Sequence, residues 1–194
     1  PETETYRFSG AVGKSVPRLG EQGYVTFGLD AQSETSQSIL SRSLTGSRLA
    51  RDSETNKAKS SVTAEGVVKD RRWTAIVSAL SEEQTTRTDR TDGQTRDRTH
   101  QQLTGASFDG TLAGPVPGLL AGTGAFNLRT QASAEKLESD YTRGLLAGSD
   151  DIDRTKVDVN GSFTIPLVSR KAAGSRFGDL SLTLHGELGS SSDL

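Results

Sequence analysis

Along Val157–Leu167 apolar and polar side chains alternate with a period of two. Val157, Val159, Gly161, Phe163, Ile165 and Leu167 fall on one face, and Asp158, Asn160, Ser162 and Thr164 on the other. This is the period of a β-strand with one apolar and one polar face, because successive side chains of a strand point to opposite sides. The pattern returns in Phe177–Leu188, where Leu180, Leu182, Leu184 and Leu188 alternate with Ser181, Thr183, His185 and Glu187. In Leu120–Ala132, Leu120, Phe126 and Leu128 oppose Thr123, Asn127, Arg129 and Gln131. Val25, Phe27, Leu29 and Ala31 oppose Thr26, Gly28 and Asp30, and Val62, Ala64, Gly66 and Val68 oppose Ser61, Thr63, Glu65 and Lys69. Weaker alternation runs through Thr5–Val12, Trp73–Leu80 and Gln102–Leu112, so eight strands are expected.

Composition narrows what such strands can build. Hydrophobic residues make up 31% of the 194 residues and aromatics 5%, with 21 Gly. A globular domain usually has about 45–50% apolar residues with glycine counted. Disorder would account for the deficit, but disorder does not alternate. What remains is sheet in which only one face of each strand must be apolar. Ile39–Leu49 and Ala132–Leu146 carry a few apolar residues at helical spacings, but their Gly, Ser and Thr content disfavours helix, and loops are expected there.

The connections differ in length by turns. Gly13–Gly20, Asp70–Arg72, Ala113–Gly118 and Ser169–Arg176 are short. Gln32–Asn56, Ser81–Gln101 and Ala134–Thr155 are long, polar and charged. Alternation of short turns with long loops is the habit of an outer-membrane barrel, whose periplasmic turns are short and extracellular loops long. The apolar stretches of about 9–11 residues match a tilted membrane-crossing strand. Each strand grows polar towards a long loop, so the hairpins should project beyond the membrane. Tyr6, Tyr24, Trp73 and Phe177 are expected near the short-turn ends, as an interfacial girdle. No apolar run is long enough for a transmembrane helix. The expectation is an all-β, antiparallel transmembrane β-barrel domain over 1–194, with eight meander strands.

Two segments carry a resemblance. Phe108-Asp109-Gly110-Thr111-Leu112-Ala113-Gly114-Pro115-Val116-Pro117-Gly118 followed by Gly122-Thr123-Gly124-Ala125-Phe126-Asn127-Leu128-Arg129 resembles a strand, Pro-Gly turn and "G-x-e-x-R" strand of TonB-dependent outer-membrane receptors. Gly161–Ser169, then Leu180–Glu187 and Ser192-Asp193, is similar to that family's "E-x-x-I-P-L", "L-x-L-x-x-x-x-R" and "S-D" sequence. Gly161 or Ser162 stands where an acidic residue is common, and Glu187 where a basic one is often seen. The resemblance covers about half the chain. It implies a twenty-two-stranded barrel filled by a plug, taking up a siderophore-like or other large scarce ligand with energy delivered through TonB. Neither the plug nor the TonB-binding segment is recognisable in this sequence, so the eight strands would be part of the wall. With short turns periplasmic, Pro1 and Leu194 both fall on the extracellular side. A complete barrel normally starts and ends in the periplasm. The first and eighth strands are therefore expected to be non-neighbours rather than partners that close an eight-stranded barrel.

Residues that could carry chemistry are few. Gly13-Lys14-Ser15 lacks the upstream glycine of a phosphate loop, since position 8 is Phe8, and is expected to be a turn. Asp150, Asp151, Asp153 and Asp158 lack calcium-loop spacing and are expected in an exposed acidic loop. His100, expected in a loop, and His185, on a polar strand face, have no partners at metal or triad spacing. Arg87, Arg90, Arg96 and Arg98 interleave with Asp89, Asp92 and Asp97, as mutually screened charge or as a contact for an anionic ligand. No catalytic, cofactor or metal site is assigned, and an enzyme is not expected. With no Cys, disulfides and thiolate chemistry are absent. The net charge of −2 gives no reason to expect nucleic acid as a partner. The expected partners are outer-membrane lipid, the rest of the barrel with its plug, TonB through other segments, and an extracellular ligand. The alternative is a small structural or adhesive outer-membrane barrel without transport.

Overall fold

A computed structural model describes residues 2–42, 48–89, 96–119, 121–168 and 179–193. They form one eight-stranded antiparallel sheet: β1 Glu2–Ser15, β2 Glu21–Arg42, β3 Arg48–Val68, β4 Arg71–Thr88, β5 Asp97–Leu119, β6 Gly122–Arg143, β7 Leu146–Val168 and β8 Leu180–Asp193. Each strand pairs only with its sequence neighbours, so the topology is a plain meander. A 3₁₀ turn, Pro17–Leu19, is the only helical element among the described residues. None of their helices is long and apolar enough to cross a membrane. Among them, no pairing joins β1 to β8, which lie at opposite edges as the sequence implied.

The eight expected strands are all present, but they are longer than the alternation marks. Gln32–Asn56, Ser81–Gln101 and Ala134–Thr155, expected as long loops, are largely strand: β2 continues to Arg42, β4 to Thr88 and β6 to Arg143 before the chain turns back. β6 and β7 are joined by Gly144-Leu145 alone. These extensions are held by cross-strand polar pairs. The Ser33 hydroxyl donates to Asn56 Oδ1 at 2.8 Å, Gln37 donates to Asp52 at 3.0 Å, and Lys57 Nζ lies 3.0 Å from Glu82. With water on both faces, no apolar period is required there, which is why the sequence read as loop.

The short connections are also tighter than expected. Gly13-Lys14-Ser15 ends β1 rather than forming a turn, and Arg71 and Arg72 begin β4. The β3–β4 turn is Lys69-Asp70, both at positive φ (50° and 64°), the two-residue hairpin whose twist suits antiparallel strands. Ala113–Gly118 lies within β5, with a register shift between Val116 and Leu119 and Gly118 at φ 82°. The expected turn Ser169–Arg176 lies outside the described residues. The β1–β2 connection folds onto the end of β3. Trp73 Nε1 donates to the Leu19 carbonyl at 3.3 Å, and Gly66 has no side chain because a Cβ there would collide with that same carbonyl.

Among the described residues no second layer covers the sheet, and it has almost no interior. Leu49 is the single buried hydrophobic residue among those described. Large apolar side chains lie open instead, Phe8 at 64%, Phe27 at 50% and Leu184 at 53% exposure. A soluble monomer rarely leaves a contiguous apolar surface of this kind uncovered.

Candidate functional site

The functional geometry of this chain lies in its two faces. Register places Val12, Phe27, Val62, Val77, Phe108, Ala132 and Val157 in one row across seven strands, each the partner of the next. A second row joins Trp73, Leu112, Leu128 and Gly161, and a third joins Phe126, Phe163 and Leu184. Ile165 pairs with Leu182 and Val159 with Leu188. Strands that alternate separately in the sequence thus align their apolar sides, and the result is one continuous belt.

The opposite face, over the same span, is polar and ion-paired. Arg7 Nη2 lies 2.9 Å from Asp30 Oδ2. Arg129 donates to Asp109 Oδ2 from Nε at 3.1 Å and from Nη2 at 2.6 Å, and Gln131 donates to that oxygen at 2.8 Å. The Thr164 and Thr183 hydroxyls are 3.2 Å apart. Asn127, Asn160, Ser162, His185 and Glu187 line a shallow depression of about 330 Å³ on this face.

The belt runs obliquely to the hydrogen-bonded rows. Gly10 lies near the middle of the apolar part of β1, and its row passes through Leu29, Ser60, Ala79, Ala106, Ala134, Thr155 and Ser192. The apolar stretches Trp73–Ala79, Val157–Leu167 and Leu180–Leu188 have their midpoints at positions 76, 162 and 184. The belt has therefore moved three residues from the row by β4, seven by β7 and eight by β8, always towards the short turns. One residue per strand, with a rise of about 3.4 Å per residue and about 4.8 Å between strands, is an inclination of about 35–40°. Strands of closed barrels tilt by about that angle to the barrel axis.

The residues singled out in the sequence do not assemble into a reactive centre. Asp150, Asp151, Asp153 and Asp158 are on β7, not in a loop. Asp151 and Asp153 share the side of the apolar belt, Asp150 and Asp158 the other, so alternation separates them. Among the described residues, no group of three or more His, Cys, Asp or Glu could hold a metal ion. His100 is within β5 rather than a loop, its Nδ1 3.1 Å from Thr85 Oγ1. His185, on β8, pairs in register with Ser162 on the polar face. Arg96 bridges Asp52 at 3.1 Å and Asp89 at 2.6 Å, while Arg87 and Arg98 are register partners. Asp89 also accepts from the Ala50 amide at 2.9 Å, so this charge network ties the β4–β5 hairpin to β3. Arg90 and Asp92 lie outside the described residues, as does Phe177 of the expected girdle. Tyr24 and Trp73 do lie at the short-turn end. Tyr6 does not: it pairs with Ser33, towards the opposite end of the belt.

A feature missed in the sequence is the group of cations at the short-turn end, Lys14, Arg18, Lys69, Arg71 and Arg72, which have no carboxylate partner among the described residues. Its signal was present, since basic residues flank the first two short turns. No family model and no curated protein matches this chain.

Proposed function

We propose that this chain is wall, not catalyst: a run of membrane-crossing strands in a bacterial outer-membrane β-barrel, its apolar belt against lipid and its ion-paired face towards the lumen. The observation that carries this reading is the oblique belt. A soluble sheet buries its apolar face under a second layer, and the described residues form none. In a barrel, the belt must stay level with the membrane while the strands lean. It therefore has to slip along the hydrogen-bonded rows by about one residue per strand.

Within that class, we propose a TonB-dependent receptor that takes up a siderophore-like or other large scarce nutrient. Support comes from the residues of the resemblance. Phe108–Gly118 leads into the bulged end of β5, and Gly161–Val168 into the end of β7, so both motifs fall at short-turn ends. The unpaired edges β1 and β8 then receive the neighbouring strands of a larger barrel. The test is uptake. The full-length gene, expressed in a receptor-deficient Gram-negative host with and without TonB, should support growth on a panel of ferric chelates only where TonB is present. Assembly in the outer membrane with no TonB-dependent uptake of any tested ligand would favour the structural or adhesive barrel.

A further inference from the structure

We propose that the short-turn rim of the belt is a binding surface for the phosphates of anionic phospholipid headgroups, an inference that rests on the membrane reading above. Six cations elsewhere on the sheet have carboxylate partners: Arg7, Lys57, Arg96, Arg129, Lys136 and Lys156. At the short-turn rim, Lys14, Arg18, Lys69, Arg71 and Arg72 have none among the described residues. Glu21, Glu65 and Asp70 share that end of the sheet but form no ion pair with them. Arg51, Lys59, Arg87, Arg98 and Arg143 also lack a carboxylate partner among these residues, but they stand on the polar face or in the polar extensions, whereas the rim cations stand where the apolar belt ends.

Placement at that level is specific. Arg71 pairs with Val68 and so stands on the apolar side. Its stem lies where Gly114 leaves room, and its guanidinium carbon is 5.7 Å from the centre of the Phe126 ring. The side chain therefore lies along the margin of the belt with its charge at the edge, as long cations do where hydrocarbon meets headgroup. Lys14, partner of Val25, is on the same side. Arg18 belongs to the turn whose Leu19 carbonyl accepts from Trp73. Trp73, with its indole N–H satisfied at one end and its ring on the belt, is an interfacial residue by its own chemistry. Three cations at the same end of the apolar belt as this tryptophan match a layer of anionic headgroups, which attracts basic side chains close to its surface and loses that attraction in salt.

Trp73 is the one tryptophan of the chain and reports on that rim. The full-length protein and its Trp73→Phe variant are placed in vesicles carrying equal mole fractions of brominated phosphatidylglycerol or brominated phosphatidylcholine. The difference in quenching between the two proteins isolates Trp73. The expected result is an apparent preference for phosphatidylglycerol of roughly threefold, lost at about 1 M salt, where the screening length falls to about 3 Å, and lost in the Lys14→Gln, Arg18→Gln, Arg71→Gln triple variant. Equal quenching by the two lipids overturns the inference and leaves the membrane reading standing, as would occur if the rim faced an acidic protein. A preference that survives salt overturns it too, whether or not the triple variant folds. Quenching by neither lipid removes the membrane reading itself.

Discussion

The two halves of this sheet are made by the same strands and have opposite chemistry. Near the short turns, each strand has one apolar and one polar side: Phe163 and Ile165 against Thr164 on β7, and Leu182 and Leu184 against Thr183 on β8. Towards the long hairpins, neither side is consistently apolar. Lys136 stands opposite Asp153 on the belt side of β6 and β7, and Glu135 stands opposite Arg154 on the other. Backbone pairing of β6 with β7 runs through both halves without a register shift, so the ladder is indifferent to the change. What changes is the solvent each half is built for. The first half calls for something apolar on one side, and the second for water on both.

The sharpest way to break that comparison is to put a charge into each face of the belt. Phe163 sits next to the middle of the apolar stretch of β7, between Phe126 and Leu184. Phe163→Arg should destabilise the assembled barrel by about 2–4 kcal/mol, the range for arginine at the midplane of a membrane barrel. Thr164→Arg, one residue along, should cost much less. Denaturant unfolding of the full-length protein in vesicles measures both, and equal losses would mean that the faces are not lipid and lumen.

A smaller effect is expected where the β1–β2 turn docks on β3. In Gly66→Ala the new methyl meets the Leu19 carbonyl, so the turn must lift and the Trp73 indole loses its acceptor. Such overpacking costs about 1–3 kcal/mol. The readout is the same unfolding curve, with a shift in Trp73 emission. An unchanged spectrum would show that the turn does not rest there.

Smaller still is the pair on the polar face. Asp109→Ala removes the acceptor shared by Arg129 and Gln131, yet Arg129 is half exposed, and water screens what remains. About 0.2–1 kcal/mol is expected, shrinking as salt is added. A loss comparable to that of Phe163→Arg would place this face out of contact with water.

The strands, their order and their facing were legible in the sequence because a period of two survives wherever one side must be apolar. Val157–Leu167 and Phe177–Leu188 carry that period almost without exception. The length of the strands was not legible. Ala134–Thr155 reads as loop because Leu137 and Ile152 pair on the side away from the belt while Lys136 and Asp153 pair on the belt side, and no single face reports burial. One tight turn hid for a different reason. Gly144-Leu145 lacks the Asn-Gly or Asp-Gly dipeptide that marks a two-residue hairpin, whereas the Lys69-Asp70 turn fell one residue from the expected Asp70–Arg72. The oblique course of the belt could not be read either, since it exists only once register is known. The acidic residues of β7 were misplaced in a loop, and the strand that holds them also separates them.

The smallest effect is in the polar half. The Glu138 carboxylate, hydrogen-bonded to Lys136 at 2.6 Å, raises the Lys136 ammonium above its usual 10.5, with Asp153 and Asp151 adding to the attraction. A raised lysine contributes fully below its unfolded pKa, and the contribution is lost as pH rises through the folded value. Because the pair is in water that contribution is too small to read, so Lys136→Ala should leave the unfolding curve unchanged at neutral pH. NMR titration of the Lys136 Nζ resonance above pH 10.5 reads the shift directly, and a midpoint at or below the usual value would show that the pair does not form in solution.

The central claim, that one face of the belt meets lipid and the other the lumen, is tested most directly by single cysteines on β7 and β8 of the full-length protein. The chain has no native Cys, so each introduced thiol in this segment reports alone. A membrane-restricted thiol probe should label positions 159, 163, 165, 182 and 184, while a water-borne reagent should label 160, 164, 183 and 185. A one-residue slip would exchange the two sets entirely. Alternation of labelling with a period of two is the result this account predicts; equal labelling of both sets by either reagent would contradict it.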